Sequence, residues 1–118
     1  MKIAIACDKH QISGHFGRCE VFAIYDVSSS GKILKQSIIE NPGHRPRFLP
    51  EFLAAININV LITGGIGSQA ALIFKEKGIN VITGVTGSAQ EAMELYLAGK
   101  LKSSDELCQD HLFSNQCQ

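Results

Sequence analysis

The chain has 118 residues, of which 45% are hydrophobic and 19% are charged, a composition typical of one globular domain with its own core. Eleven Lys and Arg residues balance eleven Asp and Glu residues, so a general nucleic-acid binder, which carries a basic excess, is disfavoured. The longest apolar runs have five residues, too short to span a membrane, and the N-terminus shows no signal peptide. We therefore expect a cytoplasmic protein.

The first half of the chain predicts a β-rich region. Residues 2–7 are a buried strand, residues 19–27 a second strand, and residues 32–40 an edge strand of mixed polarity. Residues 8–18 and residues 41–47 are rich in Gly, Pro and polar side chains, so we expect them to be loops. The second and third strands should form an antiparallel hairpin.

The second half begins with a helix and continues with an approximate repeat. An apolar stripe at helical spacing starts at Leu49, and Pro50 is compatible with the first turn. Residues 58–64 and residues 79–84 each predict a short buried strand, followed by a Gly loop and a helix that we expect Ser68 or Ser88 to cap.

Glycines and a capping pattern set the limits of these two helices. Ser88 and Glu91 match a capping box, while Gly78 and Gly99 are placed to stop the second and third helices. Strands that alternate with helices imply parallel pairing through right-handed crossovers. We therefore predict an α/β fold with a mixed five-stranded sheet and three helices over residues 1–101, and a tail over residues 102–118 outside the core.

Three loops of this predicted sheet lie where ligands gather in open α/β folds, at the carboxyl ends of parallel strands. They are residues 8–18, residues 64–67 and residues 84–87. The two Gly loops lead into helix N-termini, which favour anions, although glycines there also serve tight turns alone. Neither loop has the pattern of a P-loop or of a dinucleotide fingerprint.

The first loop carries side chains that suit soft or borderline metals, since imidazole and thiolate bind iron, copper and zinc. The candidates are His10, His15 and Cys19, with Cys7 at the entrance of the loop. Gly14 and Gly17 flank the pair His15-Phe16, which would let a bulky ligand approach the backbone. The alternative is a solvent-exposed histidine and cysteines packed as small hydrophobic residues.

Two further segments contain titratable or metal-binding side chains. Arg45 lies in the basic run of residues 44–47, and together with Arg18 it could balance a polyanion, although a solvated loop explains it equally. Cys108, His111 and Cys117 in the tail match no strong zinc pattern. No nucleophile, base and orienting group stand out together, so the sequence does not predict an enzyme.

The opening residues 1–6, the motif Gly14-His15-Phe16-Gly17-Arg18 and the later Gly64-Gly65-Ile66-Gly67 occur in the order of a known family. Over about residues 1–101 the chain resembles the dinitrogenase iron–molybdenum cofactor biosynthesis family of small cluster-binding proteins. The resemblance implies a ribonuclease H-like sheet with three helices. It also implies non-catalytic binding of iron–sulfur or molybdenum-containing cofactor precursors, with mixed molybdenum–copper sulfide clusters carried by some relatives.

The leading hypothesis is a carrier of an anionic metal–sulfide cluster, serving assembly or storage, with cluster donor or acceptor proteins as partners and no nucleic acid or membrane. The expected cofactor-binding residues are Gly14, His15, Phe16, Gly17, Arg18, Arg45, Gly64, Gly65 and Gly67, and the expected metal ligands are His15, His10, Cys7 and Cys19. We expect a monomer or weak homodimer. The alternatives are a protein–protein adaptor and an enzyme that binds a small phosphorylated molecule through the two Gly loops.

Overall fold

One mixed sheet of six strands, covered by three helices, makes up the part of the chain that the structure describes. The computed structural model describes residues 1–43 and 48–101; the predictions for Arg45, Cys108, His111 and Cys117 lie outside them. The strands are β1 (Lys2–Asp8), β2 (Gln11–Ile12), β3 (Val21–Val27), β4 (Ile33–Glu40), β5 (Val60–Ile62) and β6 (Asn80–Ile82). The helices are α1 (Phe48–Ala55), α2 (Ser68–Glu76) and α3 (Ala89–Leu97).

The long strand β1 lies in the middle of the sheet, whose order is β4-β3-β1-β5-β6 with β2 beside β1. Strand β1 is antiparallel to β2 and β3 and parallel to β5, so Ile5 has Ala23 on one side and Ile62 on the other. Strands β5 and β6 are parallel, as the repeat predicted. The mixed α/β class is confirmed by this arrangement.

The predicted count of five strands is wrong, because the segment expected to be a loop contains the two-residue strand β2. Strand β2 turns back on the end of β1 and pairs Cys7 with Ile12 and Asp8 with Gln11. Two residues are too short to show the alternation of apolar and polar side chains on which strand prediction depends. Only the tertiary pairing reveals this strand.

Two hydrophobic cores form, one on each face of the sheet, because successive side chains of a strand point to opposite faces. Ala4 and Ala6 of β1 pack with the buried side chains of α1 and α2. Ile3 and Ile5 pack on the other face with α3. Leu101, the last described residue, packs against this second core.

Helix α1 matches its prediction. Leu49, Pro50 and Leu53 are buried, and Pro50 stands in the first turn, where its missing N–H leaves no hydrogen bond unmade. Gly78 and Gly99 follow α2 and α3 with φ of 77° and 73°, the left-handed conformation typical of a helix end, as expected.

The two repeated helices begin in different ways. The hydroxyl of Ser88 accepts a hydrogen bond of 3.1 Å from the Glu91 N–H, so the predicted cap of α3 is confirmed. The predicted cap by Ser68 is wrong: Ser68 is already inside α2, and the N-cap is Gly67, which has no side chain to accept from the first turn. Ser68 and Ser88 hold the same position in the repeat, but α2 begins one residue earlier than α3, so its N-terminus has no side-chain cap.

Candidate functional site

Three loops meet at the carboxyl ends of β1, β5 and β6. They are the first loop (residues 9–20), the second loop (residues 63–67) and the third loop (residues 83–88). The Gly64 N–H donates to the Ser13 carbonyl, and the Gly84 N–H donates to the Gly64 carbonyl, each at 2.9 Å. These bonds fasten the three loops to one another through Gly64.

The third loop and the start of α3 are bonded to the first loop. The Ile12 N–H donates to the Gly87 carbonyl at 2.9 Å, and the Ala89 N–H donates to the His10 carbonyl at 3.0 Å. The Ala89 contact and the Ser88 cap each satisfy an N–H group at the N-terminus of α3. Of the two Gly-loop helices, α2 is therefore the one whose N-terminus is the better candidate for an anion.

Gly64 is required by the close approach of the loops. A Cβ at this position would lie 2.7 Å from the Ser13 carbonyl oxygen, 3.0 Å from the Gly14 Cα and 3.3 Å from the Val85 carbonyl oxygen. Backbone atoms cannot swing aside as a flexible side chain can. The first glycine of the motif thus shapes the site from within the protein.

Ser13 and Thr63 are buried polar residues that the sequence analysis did not single out. Ser13 is 2% exposed; its hydroxyl donates to the His15 carbonyl at 3.0 Å and accepts from the His15 N–H at 3.1 Å. Thr63 is fully buried, and its hydroxyl donates to the Gly65 carbonyl at 3.2 Å. The sequence did contain a signal for Ser13: it lies two residues before His15, and serine hydroxyls often form hydrogen bonds with the backbone of nearby residues.

His15 is held by its backbone and exposes its side chain. Its carbonyl also accepts from the Arg18 N–H at 3.0 Å, in the short 3-10 turn Phe16–Arg18. Phe16 is buried, with its ring centroid 5.3 Å from that of Phe74 and 5.7 Å from that of Phe22. The Phe16 N–H donates to the Gly65 carbonyl at 2.9 Å, so Phe16 fastens the loop into the core and leaves His15 and Arg18 at the surface.

Gly14 and Gly67 have a different character from Gly64. A Cβ at either position would meet no atom within 4 Å, and neither glycine has a positive φ. Gly67 has φ −72° and ψ 155°, a conformation open to any residue. Contacts within the described residues therefore give no reason for glycine at these two places, which lie beside exposed His15 and at the N-terminus of α2.

The charged side chains within the first loop, up to residue 19, are basic. Residues 9–19, 63–75 and 83–90 contain no Asp or Glu, while the first loop carries Lys9, His10, His15 and Arg18. Carboxylates flank this stretch: Asp8 before it accepts from the Glu20 N–H at 3.1 Å, and Glu20 after it accepts from the Lys9 N–H at 2.9 Å. The Glu91 carboxylate lies beside the third loop, 3.4 Å from where a Cβ of Gly87 would be. Between the two flanking carboxylates, the first loop from His10 to Arg18 is the locally basic edge of a neutral protein, which suits an anion.

The structure separates the two cysteines that the sequence placed near one ligand set. Cys7 packs in the core beneath α3, whereas Cys19 packs in the core beneath α1 and α2. Both are free thiols, and burial raises the pKa of each, that of Cys19 to about 12. Within residues 1–43 and 48–101 no three His, Cys, Asp or Glu side chains are grouped as a metal site.

His10 and His15 also lie in different surroundings. His10 borders a groove of about 760 Å³ between α3 and the β3–β4 hairpin, together with Lys9 and the buried Cys7. The groove lies on the α3 face of the sheet, and His15 does not line it. Gly17, two residues after His15, is fixed by its carbonyl, which accepts a hydrogen bond from the Asn41 side-chain amide at 3.4 Å.

The fold defines a small α/β protein whose candidate ligand site lies at the carboxyl ends of its parallel strands. Within the described ranges, no helix is long and apolar enough to cross a membrane. The family model described as dinitrogenase iron-molybdenum cofactor matches residues 1–99, and the chain belongs to this family.

Three proteins illustrate the similarity. The uncharacterized protein MJ0580 of Methanocaldococcus jannaschii is 36% identical over 107 residues, which cover 86% of this chain and 90% of that protein. The crystal structure of PH0822 has a TM-score of 0.81 and 31% identity, covering 88% of this chain and 96% of that one. The NMR structure of TM1290 from Thermotoga, proposed to be a NifB protein, has a TM-score of 0.70 and 27% identity, covering 86% and 91%.

Proposed function

We propose that this protein binds an anionic metal–sulfide cluster, or a precursor of the iron–molybdenum cofactor, and holds it for assembly or storage without catalysing a reaction. An iron–sulfur, molybdenum–iron–sulfur or molybdenum–copper–sulfur cluster is the cargo. Membership of the dinitrogenase iron–molybdenum cofactor family supports the class of ligand. Two described cysteines that are free thiols fit a reducing compartment, and we propose the cytoplasm.

The observation that carries the proposal is the pair of glycines Gly14 and Gly67. Each leaves bare backbone beside open space, and no described neighbour or backbone conformation requires a glycine there. The exposed His15 follows Gly14, and Gly67 begins α2 without a side-chain cap. The bond from the Phe16 N–H to the Gly65 carbonyl, at 2.9 Å, holds the two segments side by side. A large anion could approach the backbone N–H groups of α2 while His15 supplies an imidazole ligand.

The remaining predicted residues have separate roles in this proposal. Arg18 is exposed and supplies positive charge, and Arg45, which lies outside the described residues, is proposed to do the same. Phe16, Gly17, Gly64 and Gly65 shape the loops that present His15. Cys7, Cys19 and His10 are the less favoured ligands, because the two thiols are buried in separate cores and His10 borders the groove.

We also propose the ribonuclease H-like assignment for the fold. Without the short β2, the five longer strands numbered in chain order lie in the order 3-2-1-4-5, with the first three antiparallel and the last two parallel to the first. This order agrees with the topology that the family resemblance implies.

The test is an anaerobic titration of the full chain with tetrathiomolybdate and with a synthetic iron–sulfide cluster anion, followed by visible absorption. We expect His15→Ala to weaken binding about tenfold, which corresponds to about 1.4 kcal/mol. His10→Ala is the matched control, since it removes an exposed histidine of the same loop on the groove side, and it should bind like the wild type.

Two results would contradict the proposal. If neither anion binds the wild-type protein, the cluster hypothesis fails for these ligands; if His10→Ala loses affinity while His15→Ala keeps it, the site lies at the groove. A parallel titration with inorganic phosphate tests the alternative of a phosphate ligand, which would use the same N-terminus of α2.

A further inference from the structure

Strand β4 presents an apolar edge that the proposed cluster site does not use. Among residues 1–43 and 48–101 its only partner is β3, and every residue of β4 except Ile39 is exposed. Among the described residues, six large hydrophobic side chains are exposed, and three of them lie on β4: Ile33 at 41%, Leu34 at 67% and Ile38 at 69%. Half of these exposed apolar side chains thus lie on one strand, and Ile38 is the one within its regular segment.

Backbone hydrogen-bonding groups of β4 also point outward. The Asn41 N–H donates to the Glu20 carbonyl, which makes the opposed residues Glu40 and Val21 a pair that does not exchange hydrogen bonds. By the alternation of an antiparallel ladder, the N–H and C=O groups of Gln36, Ile38 and Glu40 then face away from β3. Three residues of the edge are therefore ready to accept another strand.

Edge strands are usually protected from further pairing by β-bulges, lysines or prolines, and in β4 such features occur only at its N-terminal end. The register shifts between Asp26 and Val27, whose partners are Lys35 and Ile33, so Leu34 is an extra residue that bends the start of the strand. Residues 35–40 continue without a break, contain no proline and carry one lysine, Lys35. A regular edge of this kind is a template for strand pairing.

We propose that β4 pairs with β4 of a second copy of this chain, antiparallel and about a two-fold axis at Ile38. In this register Ile38 lies against Ile38 of the partner subunit. Gln36 lies opposite Glu40 of the partner subunit, so an amide donor faces a carboxylate acceptor on each side of the axis. The register uses the outward backbone groups of the regular segment and leaves out the bulge.

The contact is small. Five residues from each copy pair, and such an edge buries less than the roughly 1,200–2,000 Å² of a stable interface. We therefore expect a weak, concentration-dependent dimer with a dissociation constant on the order of 10–100 μM. Because the pairing edge is separate from His15 and Gly67, the dimer should form without any cluster.

The test is sedimentation velocity on the full chain without metal, at concentrations from below to above this range. Ile38→Lys places two like charges on the axis and should leave the protein monomeric, with an unchanged circular dichroism spectrum. Leu72→Lys is the matched control, because Leu72 is 61% exposed on α2, away from the edge, and its dimerisation should equal that of the wild type.

The register is tested by changing the charge opposite Glu40. Gln36→Lys should tighten the dimer several-fold at low salt, since it creates two ion pairs, and Gln36→Glu should loosen it through two repulsive pairs. A wild-type protein that stays monomeric, or an Ile38→Lys variant that still dimerises, would overturn the proposal. A dimer that ignores both changes at Gln36 would overturn this register. None of these three outcomes would contradict the cluster proposal.

Discussion

At the scale of single residues, glycines of the two family motifs have opposite roles. Gly64 lets three loops meet, since a Cβ there would lie 2.7 Å from a carbonyl oxygen of Ser13. Gly14 and Gly67 leave open space at the surface instead. The two motifs thus combine one glycine that folding requires, Gly64, with two that we assign to ligand binding, Gly14 and Gly67.

This difference gives a prediction about stability. Gly64→Ala should lower the free energy of unfolding by about 1–3 kcal/mol, because it forces the first and second loops apart. Gly14→Ala should change it by less than about 0.5 kcal/mol, since it meets no neighbour. Urea denaturation of the two variants beside the wild type measures both, and equal stabilities would contradict the steric role of Gly64.

Burial of Cys19 makes a second prediction at this scale. Burial, with a smaller contribution from Asp8, raises the pKa of the Cys19 thiol from 9.0 to about 12. Between these values the folded protein keeps a proton that the unfolded chain releases, so this contribution to stability is full below pH 9 and is lost as the pH rises towards 12.

We therefore expect Cys19→Ala to unfold with a shallower loss of stability than the wild type over this alkaline range. Denaturation curves at a series of pH values provide the measurement. The difference in stability between the two proteins should be constant below pH 9, where the thiol is protonated in both states. Parallel curves throughout the alkaline range would mean that the thiol does not couple to folding.

At the scale of elements, α2 and α3 show how one sequence repeat produces two different helix ends. Helix α3 is capped by Ser88 and bonded to the first loop through Ala89, whereas α2 begins at Gly67 without a side-chain cap. An uncapped helix N-terminus keeps the partial positive charge of its N–H groups for a ligand. The N-terminus of α2, which has no side-chain cap, is therefore the helix end that we assign to anion binding.

Gly67→Asp should have opposite effects on stability and on anion binding at the N-terminus of α2. The carboxylate would cap α2 and stabilise the fold by about 0.5 kcal/mol, yet it would occupy the N-terminus and repel an anion. We expect a higher melting temperature together with weaker binding of tetrathiomolybdate. Gly67→Ala serves as the control, because it adds a Cβ without charge. Tight binding by the Asp variant would show that the anion does not sit at α2.

At the scale of the whole molecule, a net charge of zero confines electrostatic attraction to the basic loop edge. The Debye length falls from about 10 Å at 0.1 M salt to about 3 Å at 1 M, so added salt should weaken binding of the cluster anion several-fold. Titrations across this range give the measurement. Arg18→Gln should bind more weakly and respond less to salt; an unchanged salt dependence would remove Arg18 from the site.

Local signals in the sequence were enough to predict the alternation of strands and helices, and hence the mixed sheet and the parallel pair β5–β6. Apolar periodicity and capping residues are signals within a few neighbouring residues, and each family motif is a run of consecutive residues. For this reason α1, the Ser88 cap and the stops at Gly78 and Gly99 were all predictable.

Tertiary structure alone decided which residues meet. Strand β2 forms because its two residues pair with the end of β1. Ser13 belongs to the site because its carbonyl accepts a hydrogen bond from Gly64, about fifty residues later in the chain. The separation of Cys7 from Cys19 depends on the face to which each side chain points. These facts concern contacts between segments far apart in sequence, and a local pattern carries no information about which distant backbone will lie beside it.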